Sequence, residues 1–478
     1  MKEHTTGTLI VGGGPGGIFT STALLANGIT DFRVVCDEPE VICRCNLPYG
    51  IGKKFLNSIN DAVKSHHNFL PNFEEVGIVG KIERIDQFNR TAYGTYLRST
   101  LEFSVSYDKL ILATGAQASL PPIEGAIDLD YDGSNPSGEV IYYKGKTYDK
   151  AALRNNVVVV RSVADARRID EICGTDMTVA VIGSGLVGLE IVDNLLIRGN
   201  KVVVVEVLPH LVSTLDQDMA SLLEDRLREE GADLHLGKPC TEVGDGYIMV
   251  GDERIEVDLV VIGAGVTPDI ELARQAGCEI GKTGGVRVNK RWLTNVDDVY
   301  AIGDLIEIDD AVFAEPVLIP LLPNVMMQGA LIAKNINGME LQGPLAVVSG
   351  MSHTSDLFWG SAGYSAEMAE ARGCDVLTEK VELSTAEDAS PFAKKAWYKM
   401  VVAAEGNAKI RKGQIIGFQA ITEGKHLGDL MARWADIIGE KETVYDLPRH
   451  NWIHQPMVGN PGSNAYILML FNMFTAKL

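Results

Sequence analysis

Two glycine-rich turns, about 170 residues apart, most constrain what this 478-residue chain can fold into. The first, Gly12-Gly13-Gly14-Pro15-Gly16-Gly17, follows the apolar run Thr8-Leu9-Ile10-Val11. The second, Gly183-Ser184-Gly185-Leu186-Val187-Gly188, follows Val179-Ala180-Val181-Ile182. Each opens a helical pattern, and each helix leads to a second apolar strand that ends in an acid. One such turn is a weak signal. Two complete strand–turn–helix–strand–acid units predict an α/β chain with two Rossmann-like domains that bind two dinucleotides.

Within each unit the glycines have separate tasks. Gly12 permits the tight turn, Gly14 lets the backbone approach a pyrophosphate, and Gly17 lets helix and strand pack closely; Gly183, Gly185 and Gly188 repeat the set. A helix starting near Pro15 would aim its N-terminal amides at phosphate. The strand Phe32-Arg33-Val34-Val35-Cys36 ends at Asp37, twenty residues after Gly17, where a carboxylate can accept ribose hydroxyls. Glu38 and Glu40 are its rivals. In the second unit Lys201-Val202-Val203-Val204-Val205-Glu206 ends eighteen residues after Gly188. Val207-Leu208-Pro209-His210-Leu211-Val212 then brings no arginine. A carboxylate at that place favours a free 2′-hydroxyl over a 2′-phosphate, so NADH is expected rather than NADPH.

Bulk properties narrow the class. A chain this long should hold two to four domains. A net charge of −21 argues against nucleic acid or an anionic membrane as the main partner. Seven cysteines, an odd count in so long a chain, do not make a disulfide framework. Met1-Lys2-Glu3-His4-Thr5-Thr6 runs into the first strand without a signal peptide, and no apolar run reaches the roughly 20 residues that span a bilayer. A cytoplasmic protein without a membrane span or a metal site is the expectation.

Residues 77–106 alternate like a three-stranded meander (Gly77 to Ile85, Thr91 to Leu97, Leu101 to Ser106). A further strand, Tyr107-Asp108-Lys109-Leu110-Ile111-Leu112, leads into Ala113-Thr114-Gly115-Ala116. Val299-Tyr300-Ala301-Ile302-Gly303-Asp304 repeats that kind of strand. In this order the motifs resemble the pyridine nucleotide-disulfide oxidoreductases, the glutathione-reductase-like flavoproteins, over most of residues 7–125 and 157–478. The resemblance implies FAD on the first unit, with Thr114 and Gly115 closing its site and Gly303-Asp304 placing a carboxylate on the ribityl chain. It implies NADH on the second. Glu190 matches the family's glutamate beside the nicotinamide, although a helix-surface charge would read the same way. Val260 to Pro268, with Gly265, matches the strand leading back to the FAD domain. The implied division is 1–125 with 285–340 for FAD, 126–156 an insertion, 157–284 for NAD(H), and 341–478 an α+β interface module through which a homodimer forms.

Cys45-Asn46-Leu47-Pro48-Tyr49-Gly50-Ile51-Gly52 resembles the family's single-cysteine branch, the coenzyme A-disulfide reductases and NADH oxidases, which place one redox cysteine against the flavin. A thiolate is the working species. The N-terminus of the helix that follows, and the flavin, are expected to lower the Cys45 pKa. Cys43 is a secondary candidate, since a Cys-x-Cys ring is strained. Cys36, Cys173, Cys240, Cys278 and Cys374 read as packing residues. In the C-terminal module Trp397 to Val402 and Gly413 to Ala420 read as strands of one antiparallel sheet. Asp446-Leu447 followed by His454 matches the family's acid/base offset into the partner's site, with His450 a local rival. The apolar tail Ala465 to Phe471 reads as dimer packing.

The chain departs from its relatives in four places. The helix Ile18 to Asn27 has no arginine of the kind that coenzyme A-disulfide reductases carry there. Pro15 stands where peroxide-using members often have histidine. Tyr49 and Gly50 follow Pro48 in place of two lysines. Residues 126–156, with Asp128 to Pro136 and Tyr142 to Tyr148, suggest a hairpin projecting from the junction of the two domains. The resulting expectation is an FAD- and NADH-dependent reductase of a disulfide, persulfide or related sulfur substrate, acting through Cys45 with His454 from the partner subunit. The alternatives are an NADH oxidase or peroxidase working through a Cys45 sulfenate, and a flavoprotein that delivers electrons to a docked protein.

Overall fold

The computed structural model describes residues 1–53, 55–386, 390–424, 427–450 and 462–478, with the backbone alone at 462–466. Its first layer is a parallel sheet whose strands run, in spatial order, Gly77–Asp86, Phe32–Cys36, Lys2–Val11, Glu102–Leu112 and Val299–Ala301. Leu9, Ile10, Val34, Leu110, Ile111 and Leu112 are fully buried, as expected of continuous apolar strands covered on both faces. The helix Pro15–Ala26 packs on Leu322–Ile336 so closely that a Cβ on Gly329 would lie 2.7 Å from Thr20 Oγ1. Thr20, Ser21 and Thr22 donate to the carbonyls of Gly16, Gly17 and Ile18, one turn back, so none carries an unmet hydroxyl into that contact.

The second layer is a five-stranded parallel sheet in the order Val157–Val159, Leu259–Ile262, Thr178–Ile182, Lys201–Glu206 and Asp233–Leu236. The helix Leu186–Ile197 follows its glycine turn. The third is an antiparallel sheet ordered Ser349–Thr354, Leu357–Gly363, Ile415–Glu423, Lys395–Ala403 and Val376–Ser384. Trp434, on the covering helix Gly428–Gly439, stacks on Phe418 at 4.1 Å. The expected pairing of the strands around Trp397 and Phe418 is present, with Met400 opposite Phe418. Lys399 of this sheet reaches Asp216 at 2.9 Å and Asp218 at 2.7 Å, and Gln419 donates to Asp216. These polar contacts fasten the third layer to the second.

Three local expectations change. The meander's last strand and the strand before Ala113 are one continuous strand, Glu102–Leu112. Its first half pairs antiparallel with Thr91–Tyr96. Lys2–Val11 pairs in parallel along the whole length, from Lys2 opposite Phe103 to Val11 opposite Leu112, and this keeps the strand unbroken.

The insertion does contain a hairpin, Val140–Tyr143 with Lys146–Asp149, but it does not project freely. It extends a junction sheet by pairing in parallel with Ala116–Leu120, which in turn pairs with Val266–Pro268. Tyr143 is buried and donates to the Ile123 carbonyl at 3.0 Å. Burying an aromatic side chain stabilises this docked position more than solvation of the hairpin could. In the C-terminal helix Gly462–Thr475, Ile467, Leu470 and Phe474 are buried in the chain's own core, so one face of the apolar tail packs internally while Leu468 stays exposed. Among the described residues no helix is long and apolar enough to cross a membrane.

Candidate active site

The first glycine turn is shaped by close backbone approach. Gly12 has φ +124°, and a Cβ there would lie 2.2 Å from the Ala113 carbonyl oxygen. A Cβ on Gly17 would lie 1.8 Å from the Gly12 carbonyl oxygen, so strand and helix meet there with no room for a side chain. Gly14, by contrast, faces open space with only Arg44 Nη1 at 3.9 Å. Arg44 thus hangs over the start of the helix Pro15–Ala26. It pairs with Glu38 at 2.9 Å, and its Nε is buried without a hydrogen-bond partner.

Arg161 approaches from the second domain. Its Nη2 donates to the Ala116 carbonyl, lies 3.7 Å from the Cβ position of Gly115, and stands 3.8 Å from Asp304. Burial lowers the Arg161 pKa and raises that of Asp304. Arg44 therefore stands over the glycine turn and its helix N-terminus, while Arg161 stands at Gly115 and Asp304, next to the Ala113 carbonyl against which Gly12 packs. An orphaned buried guanidinium nitrogen beside that turn fits a bound diphosphate.

The remaining predicted positions frame this cradle. Gly115 and Gly303 have φ +71° and +75°. Gly303 N donates to Gln328, and Thr114 Oγ1 donates to the Asp269 carbonyl. Gly265, at φ +103°, accepts from Ser119 N and so joins the return strand to the junction sheet. Asp37 is exposed at its strand end, as is Glu40, whereas Glu38 is half-buried and committed to Arg44. Of the three acids only Glu38 is committed to a cation; Asp37 and Glu40 are exposed with no ion pair among the described residues.

The second turn has the same backbone and different side chains. A Cβ on Gly188 would lie 2.0 Å from the Gly183 carbonyl oxygen, and Gly185 faces open space. Glu206 is buried. Its Oε2 accepts from Ser184 N and Ser184 Oγ, both at 2.8 Å, and its Oε1 accepts from Leu208 N at 2.9 Å. Three donors hold this carboxylate in place beside the turn without help from a basic side chain.

Cys45 lies where the layers meet, in the short turn Arg44–Asn46 before the six-residue helix Leu47–Gly52. It is exposed and Cys43 is half-buried; the other five cysteines are buried, as their packing role requires. The Cys45 pKa does not follow the expectation of a lowered value. Local desolvation of the thiol raises it, the Glu190 and Cys43 charges add to this, and Arg44 and a backbone hydrogen bond offset only part. A helix of under two turns has too small a dipole to reverse that balance.

Four residues beyond Cys45, Tyr49 donates to Glu190 Oε1 at 3.1 Å, and Ser352 of the C-terminal sheet donates to the same oxygen at 2.9 Å. Glu190 is therefore not a solvated helix-surface charge. Burial raises its pKa, and the two hydroxyl donors oppose that rise. Tyr49 is also pushed up, first by burial and then by the Glu190 charge. Arg44, Arg161, Ser352 and a role for Tyr49 were absent from the sequence reading. Only Arg44 and Tyr49 had a signal there, Arg44 by standing between Cys43 and Cys45 and Tyr49 by standing inside the cysteine motif.

His454 lies outside the described residues. Its rival His450 is held between Glu442 and Arg433, which places it in a structural cluster. Asp446 accepts from Thr443 N and Oγ1 and caps the turn Val444–Arg449. Among the described residues no group of three or more His, Cys, Asp or Glu could hold a metal.

The sequence pattern of a family described as "Pyridine nucleotide-disulphide oxidoreductase" matches residues 6–329. An NADH oxidase of Methanocaldococcus jannaschii is 30% identical over 431 residues, 87% of this chain and 88% of that protein. A CoA-dependent NAD(P)H sulfur oxidoreductase of Pyrococcus furiosus is 28% identical, over 69% of each chain. Among solved structures, a NAD-dependent persulfide reductase from A. fulgidus superposes with a TM-score of 0.84 at 23% identity, over 98% of this chain and 83% of that one.

Proposed function

The chain belongs to the pyridine nucleotide-disulphide oxidoreductase family, and from that premise we propose that it is an FAD- and NADH-dependent reductase of a disulfide, persulfide or related sulfur substrate. The observation that carries this reading is the position of Cys45, the one exposed cysteine of seven, at the meeting of both glycine-turn units. A relative named as a sulfur oxidoreductase and a structural neighbour named as a persulfide reductase support it.

FAD, when bound, would supply electron transfer from NADH to the cysteine sulfur. The residues of this chain do the rest. Gly12, Gly14 and Gly17 with Arg44 and Arg161 would hold the FAD diphosphate, Asp37 its ribose and Asp304 its ribityl chain; Thr114, Gly115, Gly303 and Gly265 shape the walls. Gly183, Gly185 and Gly188 would take the NADH diphosphate, Glu206 its adenosine ribose, and Glu190 would stand beside the nicotinamide. The Cys45 thiolate attacks one sulfur of the substrate, its new S–S bond replacing the one that breaks, and His454 of a second copy in a homodimer gives the departing sulfur a proton. Cys43 is a secondary sulfur for a transient exchange.

An oxidase reading, in which a Cys45 sulfenate forms with oxygen or peroxide, is favoured by the relative named NADH oxidase. Anaerobic NADH oxidation with polysulfide and low-molecular-weight disulfides, against parallel runs with oxygen and peroxide alone, decides between them. Sulfur-dependent turnover is expected. Turnover with oxygen alone would overturn the reductase. His454→Ala should spare reduction of the flavin and slow sulfur turnover by about 10²–10⁴-fold. Mixing such chains with Cys45→Ser chains should restore part of the activity if the site is shared; no recovery after verified exchange would count against His454 as a shared acid.

A further inference from the structure

Residues 126–156 meet the Arg161 contact from two sides. Lys150 lies in the turn that follows the hairpin, with its side chain only 12% exposed. Its ammonium reaches three acceptors: Asp165 Oδ1 at 2.6 Å, Ser162 Oγ at 3.1 Å, and Glu139 of its own segment. Ser162 and Asp165 open the helix Val163–Ile172 as a closed capping box, in which Ser162 Oγ accepts from Asp165 N and Asp165 Oδ2 accepts from Ser162 N. The same Oδ2 accepts from Arg161 N at 3.0 Å. The carboxylate that Lys150 holds thus also fixes the backbone from which Arg161 extends. At its far end the Arg161 guanidinium donates to the carbonyl of Ala116, the first residue of the strand Ala116–Leu120. That strand is the one the hairpin extends, with Ala118 opposite Ile141 and Gln117 donating to Thr147.

The capping box is complete without Lys150. Burying an ammonium beside a carboxylate carries a desolvation cost that can exceed the Coulomb attraction, so the pair is weak evidence for stability alone. What it does is tie the hairpin to the turn before the helix. The tyrosines of the segment are not offered to a partner either, since Tyr143 is buried and Tyr142 and Tyr148 are half-buried. We propose that residues 126–156 serve flavin binding, with Lys150 a positioning residue that holds Arg161 at the FAD site beside Asp304. The inference rests on the first glycine turn holding FAD. The segment fixes both ends of the arginine: the Lys150–Asp165 link sets its backbone, and the docked hairpin sets the strand carbonyl on which its guanidinium leans. A guanidinium whose approach is fixed in advance loses less freedom when an anionic ligand arrives, and this tightens binding without a further contact.

The test is the rate at which the purified FAD-bound protein releases its flavin, followed as free-FAD fluorescence after dilution into a bromide buffer. Arg161→Met should release FAD about tenfold faster or more, as loss of a charged hydrogen-bonding group implies. Lys150→Met should release it about threefold faster or more. The double variant should match Arg161→Met alone, because Lys150 acts through Arg161; a lysine that only supported the fold would multiply the two effects. Lys150→Met combined with Asp165→Asn leaves no buried carboxylate unpaired and keeps an acceptor for Ser162 N and Arg161 N. It should show the same faster release even where Lys150→Met alone does not fold. Release at the unaltered rate when the Lys150–Asp165 link is cut, or rates that multiply in the Lys150→Met, Arg161→Met protein, would overturn the inference. Failure of the FAD reading itself would show elsewhere, as normal flavin content in Gly17→Ala.

Discussion

The two glycine-turn units share a backbone and diverge in how they treat charge. In the first, the acid at the strand end is exposed, Arg44 from beyond the unit stands over the turn, and Arg161 stands at Gly115 and Asp304. In the second, the acid is buried under three donors from its own unit, and the turn is left open. A site that borrows its cations from elsewhere suits a ligand held permanently, because the surrounding fold closes over it. A site complete in itself suits a ligand that must come and go. The same fingerprint thus supports a resident group and an exchanging one, and the side chains outside the fingerprint decide which.

The sharpest way to break this comparison is at the residue between the units. Cys45→Ser should leave both units working, with the flavin retained and reducible by NADH in stopped-flow traces, yet lower sulfur turnover by about 10³-fold or more. Retained turnover would move the chemistry away from Cys45.

Next come the paired glycines. A methyl on Gly17 or Gly188 meets a backbone oxygen that cannot yield, 1.8 and 2.0 Å away. A cost of about 3 kcal/mol or more at each site corresponds to roughly a hundredfold loss of affinity for the ligand of that unit. Gly17→Ala should therefore purify depleted of FAD, whereas Gly188→Ala should keep its flavin spectrum and lose NADH affinity. If both variants lose flavin alike, the units are not independent.

A smaller effect tests the buried acid. Glu206 should give NADH a preference over NADPH of about tenfold to a hundredfold in kcat/KM, from roughly 1–3 kcal/mol of like-charge repulsion. Glu206→Ala should remove most of that preference. Equal use of the two nucleotides by the unaltered protein would refute the assignment.

The smallest effect concerns the loop after Glu206. His210 Nδ1 donates to the Leu211 carbonyl and Nε2 to Glu367 of the C-terminal module. Burial alone would lower its pKa, but these two acceptors outweigh burial and raise it above 6.5. A raised histidine stabilises the fold fully below its unfolded value, and that contribution fades as pH rises through the folded value. Because Glu367 is half exposed, the contribution is less than about 1 kcal/mol. His210→Gln should lower Tm at mildly acidic pH and match the unaltered protein at alkaline pH; the reverse dependence would mean that His210 is buried neutral.

Both glycine turns, their helices and their terminal acids were legible in the sequence, because they rest on local rules: a positive φ needs glycine, a close strand–helix contact excludes Cβ, and apolar runs pack between helices. The cysteine motif was legible by a different route, its resemblance to the family's single-cysteine branch. The hairpin at 140–149 was legible as a hairpin but not in its placement, since docking depended on a free edge at Ala116–Leu120 that only the assembled junction sheet provides.

What the tertiary structure alone decided is the electrostatics. Glu190 lies 141 residues from Tyr49 and 162 from Ser352. Arg161 reaches Asp304 across a comparable span of chain. No periodicity records such meetings, because they depend on how whole layers are set against one another. Spacing along the chain determined which backbone turns form. The Cys45 pKa is raised first by burial and then by the Glu190 charge brought from a distant segment, and for that reason its direction ran opposite to what its own helix implied.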